Sequence, residues 1–263
     1  MRRLRRLVQK RSLRWSEGVC VLEGTDLVTS ALDSGIEFEG LFVDARAIGD
    51  ERYDALVERA TGLGIRCDRL APGVIERVAD SQSPQPVMAA VRFVPAGLDA
   101  LDGDGLVLVL HDVRDPGNAG TAIRSADAFG ARAVVLTGRG VDPYNPKTLR
   151  ATTGSIFHLP VVVAELDAAL DRLSHLGVRT WAAVVDGGEE LVHANLARAA
   201  VIVGNESSGL DDALVARCEG RLTIPMVGRS ESLNVGVAAS IVAYESWRRN
   251  PGSHSAGPSL GGS

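Results

Sequence analysis

Short apolar runs recur along the second part of the chain, and stretches with helical periodicity lie between most of them. Six of these runs predict strands: "LVLVL" (106–110), "AVVLTG" (133–138), "LPVVVA" (159–164), "TWAAVVD" (180–186), "AAVIVG" (199–204) and the weaker "RLTIPM" (221–226). Runs that are continuously apolar, rather than alternating, are typical of a parallel sheet covered on both faces. Ligands of such sheets bind beyond the carboxyl ends of the strands. We therefore expect a functional site in the loops that follow these strands.

The first part of the chain alternates strand-like and helix-like segments on a smaller scale. Strands are predicted at 18–24, at 40–44 and within "GIRCDRL" and "PVMAAVRFV". Helices are predicted over 25–35, with Thr25 as N-cap and Gly35 as C-cap, and over 51–62. This alternation predicts a small α/β/α module.

Two segments of low apolar content divide the chain. "PAGLDALDGDG" (95–105) is rich in glycine, proline and aspartate and has little to bury, which predicts a linker. "NPGSHSAGPSLGGS" (250–263) is of low complexity and predicts a disordered tail. The predicted order is a module over 1–94, the linker, an α/β domain over 106–249, and the tail.

The composition is typical of a soluble globular protein. Hydrophobic residues make up 45% and charged residues 23% of the chain, and no apolar run approaches the roughly 18 residues of a membrane span. The N-terminus is too charged to form a secretory signal. Three widely separated cysteines are typical of reduced thiols, which predicts a cytoplasmic protein. The five histidines show no ligand spacing, so no metal site is predicted.

Basic side chains are concentrated at the N-terminus. Residues 1–14 contain seven of the 28 basic residues and no acidic one, which leaves 21 basic against 33 acidic residues, a net charge of −12, in the remainder. A basic arm on an acidic body favours an anionic polymer such as a nucleic acid as the partner. The alternative is an amphipathic helix that packs Leu4, Leu7, Val8 and Leu13 on a core. The chain begins within this basic helix, which leaves open a start upstream of Met1.

The loop after 106–110 carries the first candidate chemistry. In "HDVRDPGNAGTAIRSADAFGA" (111–131) the Pro-Gly pair predicts a turn and Asn118 a helix cap. Arg124 follows about two turns later, near enough to the helix mouth to project into a site. A surface ion pair of Arg124 with Asp127 or Asp115 is the alternative interpretation.

Two further loops carry polar residues at strand ends. In "GNESSGL" (204–210) two glycines bracket a polar turn, so a ligand could approach the main chain closely. In "IPMVGRSESLNVGVAASI" (224–241) Ser232 is the predicted cap of a helix, and Asn234 is a poor choice one turn inside a helix. The predicted apolar face of this helix consists of Leu233, Val237, Ile241 and Tyr244. The position of Asn234 favours a ligand site at the helix mouth.

The three loops together resemble the SpoU (TrmH-type) branch of the SPOUT RNA ribose methyltransferases. The motifs that carry the resemblance are "DPGNAGTAIRSADAFG", "VGNESSGL" and "IPMVGRSESLNVGVAASI", and they occur in the family's order over residues 106–248. The segment "NPKTLRATTGSIFHLPV" (145–161) is similar to the family's link between its second and third strands. Residues 1–94 resemble the ribosomal-protein-like substrate-binding module that often precedes this domain.

The resemblance implies a fold, a cofactor and a set of site residues. The fold is an α/β knot, a deep trefoil, in a protein that works as a homodimer and binds S-adenosylmethionine. The cofactor contacts implied by the motifs are Gly204, Gly209, Ile224, Met226 and Leu233. The implied catalytic surface consists of Asn118, Arg124, Glu206, Ser232 and Asn234. Two positions depart from the family's pattern, since Gly236 and Thr153 stand where serine is common.

The implied reaction is methyl transfer to a ribose 2′-oxygen of RNA, with Arg124 at its centre. Because a guanidinium is a poor base, we expect Arg124 to hold a phosphate and to favour negative charge on the 2′-oxygen. A phosphate oxygen or a transiently neutral Arg124 would take the proton. The N-terminal module favours large-subunit (23S) ribosomal RNA as substrate. Transfer RNA, or a non-catalytic RNA-binding role of the same fold, is the alternative.

Overall fold

The computed structural model describes residues 1–250, and the chain divides into two compact units. The first unit contains residues 1–94 and 142–157, and the second contains residues 95–141 and 158–250. The segment 142–157, which the sequence prediction left within the second domain, thus packs with the N-terminal residues. The limits of the folding domains stay a prediction, and all but the first residue of the predicted tail lies outside the described residues.

The first unit is built on a four-stranded sheet with the strand order β1–β4–β2–β3. Its strands are β1 (Val19–Glu23), β2 (Phe38–Asp44), β3 (Cys67–Leu70) and β4 (Val87–Arg92). Strand β4 runs antiparallel to both β1 and β2, and β2 runs parallel to β3. The helices of this unit are α1 (Arg2–Gln9), α2 (Arg11–Glu17), α3 (Thr25–Asp33), α4 (Glu51–Gly62), α5 (Val74–Val78) and α7 (Pro146–Thr152). The four predicted strands and the helices at 25–35 and 51–62 are all present.

The predicted caps of helix α3 are each displaced by one residue. Gly24 is the N-cap, since its carbonyl accepts from the Val28 N–H at 3.1 Å. Ser34 is the C-cap, and Gly35 follows it with a φ of +69°. The assignment of Thr25 and Gly35 as caps was therefore wrong. Strand β1 ends at Glu23, so the chain turns one residue earlier than the polar side chain of Thr25 suggested.

The N-terminal basic segment is an amphipathic helical pair that packs on the sheet. Leu4, Leu7 and Val8 of α1 are buried in one core cluster with residues of β1 and β4. The alternative of a packed helix is thus correct for the apolar positions. Several basic side chains of the segment remain exposed: Arg2, Arg5, Arg6 and Lys10.

Two ion pairs, one buried and one partly buried, tie segment 142–157 to the N-terminal residues of the first unit. The Arg14 guanidinium, only 2% exposed, donates to Asp142 at 2.6 and 2.9 Å and also to the carbonyls of Leu7 and Val8. Arg150 of α7 donates to the buried carboxylate of Glu23 at 2.8 Å. Because a buried charge that loses its partner costs about 3–5 kcal/mol, these pairs specify where the segment docks.

The second unit contains a seven-stranded sheet in which all pairs are parallel, as the continuous apolar runs predicted. The strand order is β7–β6–β5–β10–β8–β11–β9. The strands are β5 (Gly105–His111), β6 (Ala133–Thr137), β7 (Val161–Ala164), β8 (Arg179–Ala183), β9 (Glu189–Glu190), β10 (Arg198–Val203) and β11 (Gly220–Thr223). The helices are α6 (Pro116–Ala128), α8 (Leu166–His175), α9 (Asp212–Arg217) and α10 (Val235–Arg249). The α/β class is confirmed, and the knot stays a prediction.

Strand order brings distant parts of the sequence together. Strand β10 pairs with β5, so the loops that follow these two strands leave the sheet side by side. The predicted linker contributes to the core of this unit, because Leu101 is 2% exposed and packs with Val107 and Val178. The expectation that the linker buries little was therefore wrong at Leu101. Among residues 1–250 no helix is both long and apolar enough to span a membrane.

Candidate active site

A cavity of about 510 Å³ opens where the loops after β10 and β11 meet the start of α10. The lining residues include eight of the ten predicted site residues: Gly204, Glu206, Gly209, Ile224, Met226, Ser232, Leu233 and Asn234. Asn118 and Arg124 are not among the lining residues. The roles of all ten stay predictions, but most of them share one cavity.

The loop after β10 is a tight turn that only glycine can close. Asn205 and Gly209 exchange main-chain hydrogen bonds at 2.9 and 3.2 Å. A Cβ on Gly204 would collide with the main chain of Gly209 and would lie 2.6 Å from the Leu210 nitrogen. Gly209 has a φ of +64°, a region that favours glycine. The two glycines therefore bring main-chain groups to one wall of the cavity, which Glu206, Ser207 and Ser208 also line.

Asn234, not Ser232, is the N-cap of helix α10. Its Oδ1 accepts from the N–H groups of Gly236 and Val237 at 2.9 and 3.2 Å. The prediction of Ser232 as the cap was therefore wrong. Asn234 was predicted to lie inside the helix, where asparagine is unfavourable, and that placement was also wrong. Ser232 lies before the helix with an exposed side chain, and its carbonyl accepts from Ser230 Oγ at 2.8 Å.

Helix α6 is capped by Asp115 rather than by Asn118. Asp115 Oδ1 accepts from the Asn118 N–H at 2.8 Å, so the side chain of Asn118 is free for other partners. Its Nδ2 donates to Glu206 Oε1 at 3.0 Å, and its Oδ1 accepts from Asn234 Nδ2 at 2.8 Å. Asn118 thereby connects the loops that follow β5, β10 and β11.

Glu206 is held as a carboxylate in this network. It accepts from the main-chain N–H groups of Arg114 and Asp115 at 3.3 and 3.1 Å, in addition to Asn118. Burial alone would raise the pKa of Glu206, but these hydrogen bonds outweigh it and hold the pKa below its usual value. The carboxylate therefore accepts hydrogen bonds that organise the loops, and neutral N–H donors stabilise its charged form.

Arg124 lies on the exposed surface of α6, outside the cavity of its own chain. Within residues 1–250 its side chain has no hydrogen-bond or ion-pair partner. The predicted alternative, a surface ion pair, does not occur, because Asp127 binds His158 at 2.9 Å and Asp115 caps the helix. The guanidinium is therefore free to bind a group that the chain itself does not supply.

Asp112 and Asn205 complete the loop network and were missed in the sequence. Asp112 has a φ of +54°, uncommon for a residue with a side chain. Its carbonyl accepts from Asn205 Nδ2 at 2.8 Å, and its Oδ1 accepts from the Arg139 N–H at 2.6 Å. The signal that could have identified both is their position directly after β5 and just beyond β10.

The apolar face predicted for α10 points largely outwards. Val237 and Tyr244 are 44% and 43% exposed, whereas the buried side includes Val235, Ala239 and Val242. Trp247 is 41% exposed, and its ring centroid lies 5.9 Å from that of Tyr244. The ring centroid of Phe129, the C-cap of α6, lies 5.4 Å from that of Tyr244. Leu233 precedes the helix. The buried side of α10 thus combines two valines with the small residues Gly236, Ala239 and Ala243. An apolar patch of Phe129, Val237, Tyr244 and Trp247 is left on the surface.

Comparison with known protein families matches both parts of the chain. Residues 105–244 match the SpoU rRNA Methylase family. Residues 1–89 match the MRM3-like substrate binding domain.

Curated relatives extend over most of the chain. The 23S rRNA (guanosine(2553)-2′-O)-methyltransferase RlmP of Bacillus subtilis is 38% identical over 226 residues, which cover 85% of this chain and 86% of that protein. The 23S rRNA (uridine(2479)-2′-O)-methyltransferase of Streptomyces viridochromogenes is 32% identical over 68% of this chain and 66% of its own length. A solved structure with a similar fold is the AdoMet-bound rRNA methyltransferase from Sinorhizobium meliloti. It is 27% identical, covers 94% of each chain and has a TM-score of 0.83.

Proposed function

Because the chain belongs to the SpoU rRNA Methylase family, we propose that it transfers a methyl group from S-adenosylmethionine to a ribose 2′-oxygen of large-subunit ribosomal RNA. Relatives that act on 23S rRNA support the substrate, and the match of residues 1–89 to a substrate binding domain favours ribosomal over transfer RNA. The observation that carries the proposal is the cavity formed by the loops after β10 and β11, with Asn118 bonded to its rim.

The residues of the cavity fit S-adenosylmethionine. A volume of about 510 Å³ lies within the range of small-molecule sites. The apolar side chains of Ile224, Leu233 and Val242 suit an adenine ring, and the main chain around Gly204 and Gly209 suits hydroxyl and carboxylate groups. When bound, this cofactor supplies a methyl group on a positively charged sulfur.

The remaining task of the chain is to position the 2′-hydroxyl and to favour the loss of its proton. Arg124 is the residue proposed for this task, since its guanidinium is exposed and without a partner among the described residues. It would hold an RNA phosphate and stabilise the negative charge that develops on the 2′-oxygen. Asn118, Glu206 and Asn234 would act as positioning residues, because their side chains bind one another.

A homodimer is proposed through the apolar patch of α6 and α10. The rings of Phe129, Tyr244 and Trp247 contact one another, and Val237 is exposed on the same helix as Tyr244 and Trp247. Exposed patches of this kind mark association sites. Arg124 lies on α6 and Phe129 is the C-cap of that helix, so a dimer of this kind would bring a second copy of Arg124 to the interface region.

Mapping of 2′-O-methyl groups in total RNA, from cells with and without this protein, tests the proposed function. We expect the loss of a methyl group at one nucleotide of large-subunit rRNA, and the map also identifies that nucleotide. The two relatives modify a guanosine and a uridine, so they do not predict which nucleotide this protein modifies. An unchanged rRNA map, or loss only in transfer RNA, would overturn the proposed substrate.

The proposed place of action is the cytoplasm.

A further inference from the structure

The arginines of the second unit differ in whether their side chains have a partner, and Arg124, Arg221 and Arg229 are exposed without a hydrogen-bond or ion-pair partner among the described residues. Six have side chains paired with carboxylates or carbonyls: Arg132, Arg172, Arg198, Arg217, Arg248 and Arg249. At the carboxyl ends of β5 and β6, in contrast, Arg114 and Arg139 are exposed and their guanidinium groups have no partner in the described part of the chain. Exposed arginines that lack partners beside a candidate site are candidates for binding an anion.

Hydrogen bonds hold the two loops that carry these arginines against each other. The Arg139 N–H donates to Asp112 Oδ1 at 2.6 Å, and the Val141 N–H donates to the Val113 carbonyl at 2.8 Å. Arg114 directly follows Val113, so both arginines lie on one joined pair of loops. Because the Arg114 N–H also donates to Glu206 at 3.3 Å, this pair of loops borders the proposed active site.

The nearby carboxylates do not accept hydrogen bonds from the two guanidinium groups. Asp112 accepts from the Arg139 main chain, Asp115 from the Asn118 main chain, and Glu206 from the Arg114 and Asp115 main chains and the Asn118 amide. Main-chain and amide donors thus satisfy the acidic groups of the loops. Both arginine side chains remain available to an external ligand, in a chain whose net charge is −5.

We propose that Arg114 and Arg139 form a phosphate-binding pair that holds the RNA backbone beside the methylated nucleotide. The inference rests on the proposed function and names contacts beyond Arg124 and the N-terminal module. Arginine suits this role because its planar guanidinium can donate two hydrogen bonds to one phosphate. The other anion that could bind the two arginines is the methionine carboxylate of S-adenosylmethionine. The experiment distinguishes this carboxylate from an RNA phosphate.

The test measures binding of the full chain to a fluorescently labelled RNA hairpin over a range of salt concentrations. Phosphate contacts are independent of sequence, so the natural site is not needed. Removing two contacts in Arg114→Gln/Arg139→Gln should lower the slope of log K against log salt by about 1.4–1.8. Arg114→Lys/Arg139→Lys should retain most of the slope, because the charges remain. The control is Arg217→Gln/Arg221→Gln, which removes the same charge from exposed positions of α9 and β11. Arg217 pairs with Asp167, but an exposed ion pair of this kind contributes at most about 1 kcal/mol to stability.

Calorimetric titration with S-adenosylmethionine completes the test, and its affinity should be the same in the double glutamine variant and the wild type. An unchanged salt slope would overturn the proposal, whether or not cofactor binding changes. Weakened cofactor binding with an unchanged slope would assign the pair to the methionine carboxylate instead. If the double glutamine variant has the wild-type salt slope and the wild type methylates rRNA, the proposed function is supported and the phosphate-binding role of Arg114 and Arg139 is rejected. A wild type that binds no RNA would overturn both.

Discussion

Asn234 donates a hydrogen bond from Nδ2 to Oδ1 of Asn118 at 2.8 Å, across 116 positions of sequence. The same Asn234 caps α10 through its Oδ1, and the same Asn118 donates to Glu206 through its Nδ2. In both asparagines, therefore, Nδ2 donates and Oδ1 accepts a hydrogen bond, and these bonds fix the orientation of each amide group. This hydrogen bond links the N-terminal ends of α6 and α10.

Asn234→Asp separates the cap from the contact with Asn118. Aspartate caps helices as well as asparagine does, so the free energy of unfolding should change by less than about 1 kcal/mol. A carboxylate cannot donate to Asn118 Oδ1, and the lost hydrogen bond should lower kcat/KM for RNA methylation by about tenfold. Asn234→Ala loses both functions and should also lose about 1 kcal/mol of stability. Wild-type kcat/KM in Asn234→Asp would show that the contact does not serve catalysis.

Glu206→Gln should produce a pH-dependent change in stability. The pKa of folded Glu206 lies below its usual value, so its ionised form stabilises the fold above the unfolded pKa of about 4.3. This contribution is lost as the pH falls through the lower folded pKa. Urea denaturation should show a constant difference between wild type and variant above about pH 5, which shrinks below about pH 4.

The control for this prediction is Glu231→Gln. Glu231 is exposed in the neighbouring loop and has no partner within residues 1–250. It should show no such pH-dependent difference. Identical profiles for the two variants would mean that the hydrogen bonds of Glu206 do not stabilise the fold.

Gly204→Ala should damage the cavity. The added Cβ would meet the main chain of Gly209 and Leu210, which cannot move without opening the turn. We expect S-adenosylmethionine to bind at least about tenfold more weakly, a loss of about 1.4 kcal/mol. Gly228→Ala is the matched control, because a Cβ at Gly228 meets nothing within 4 Å. Calorimetry measures both, and equal affinities in the two variants would contradict the assignment of the cavity.

Tyr244→Ser/Trp247→Glu should convert the proposed dimer into a monomer. Both side chains belong to the exposed apolar patch, and a carboxylate at position 247 would be buried without a partner in the interface. Light scattering coupled to gel filtration measures the mass of wild type and variant. Val192→Glu changes an equally exposed apolar residue elsewhere in the unit and should leave the mass unchanged. A monomeric wild type would contradict the proposed dimer at once.

The sheet of the second unit was predictable because continuous apolarity is a local property of each strand. Helix caps were less predictable, since the segments "RDPGN" and "SESLN" each offer several polar residues within one turn. Asp115 and Asn234 are the caps because the chain turns next to them, which the residue types alone do not determine. The face of α10 was predicted from large apolar residues, but small residues such as Ala239 and Ala243 form the close contacts.

Contacts between distant residues were beyond the reach of local patterns. Arg14 and Asp142 form a buried ion pair across 128 positions, and nothing in either neighbourhood marks the other. Asn118 and Glu206 were grouped as site residues by resemblance, while their hydrogen bond depends on β5 and β10 lying side by side. Strand order, rather than composition, decides these contacts.

The most direct test incubates the purified protein with S-adenosylmethionine and large-subunit rRNA from cells that lack it, followed by mass spectrometry of the digested nucleosides. We expect a new 2′-O-methylnucleoside with the wild type. Arg124→Ala should lose at least about a hundredfold in rate while its cofactor affinity stays unchanged. A methyl group on a base, no transfer at all, or normal turnover by Arg124→Ala would contradict it.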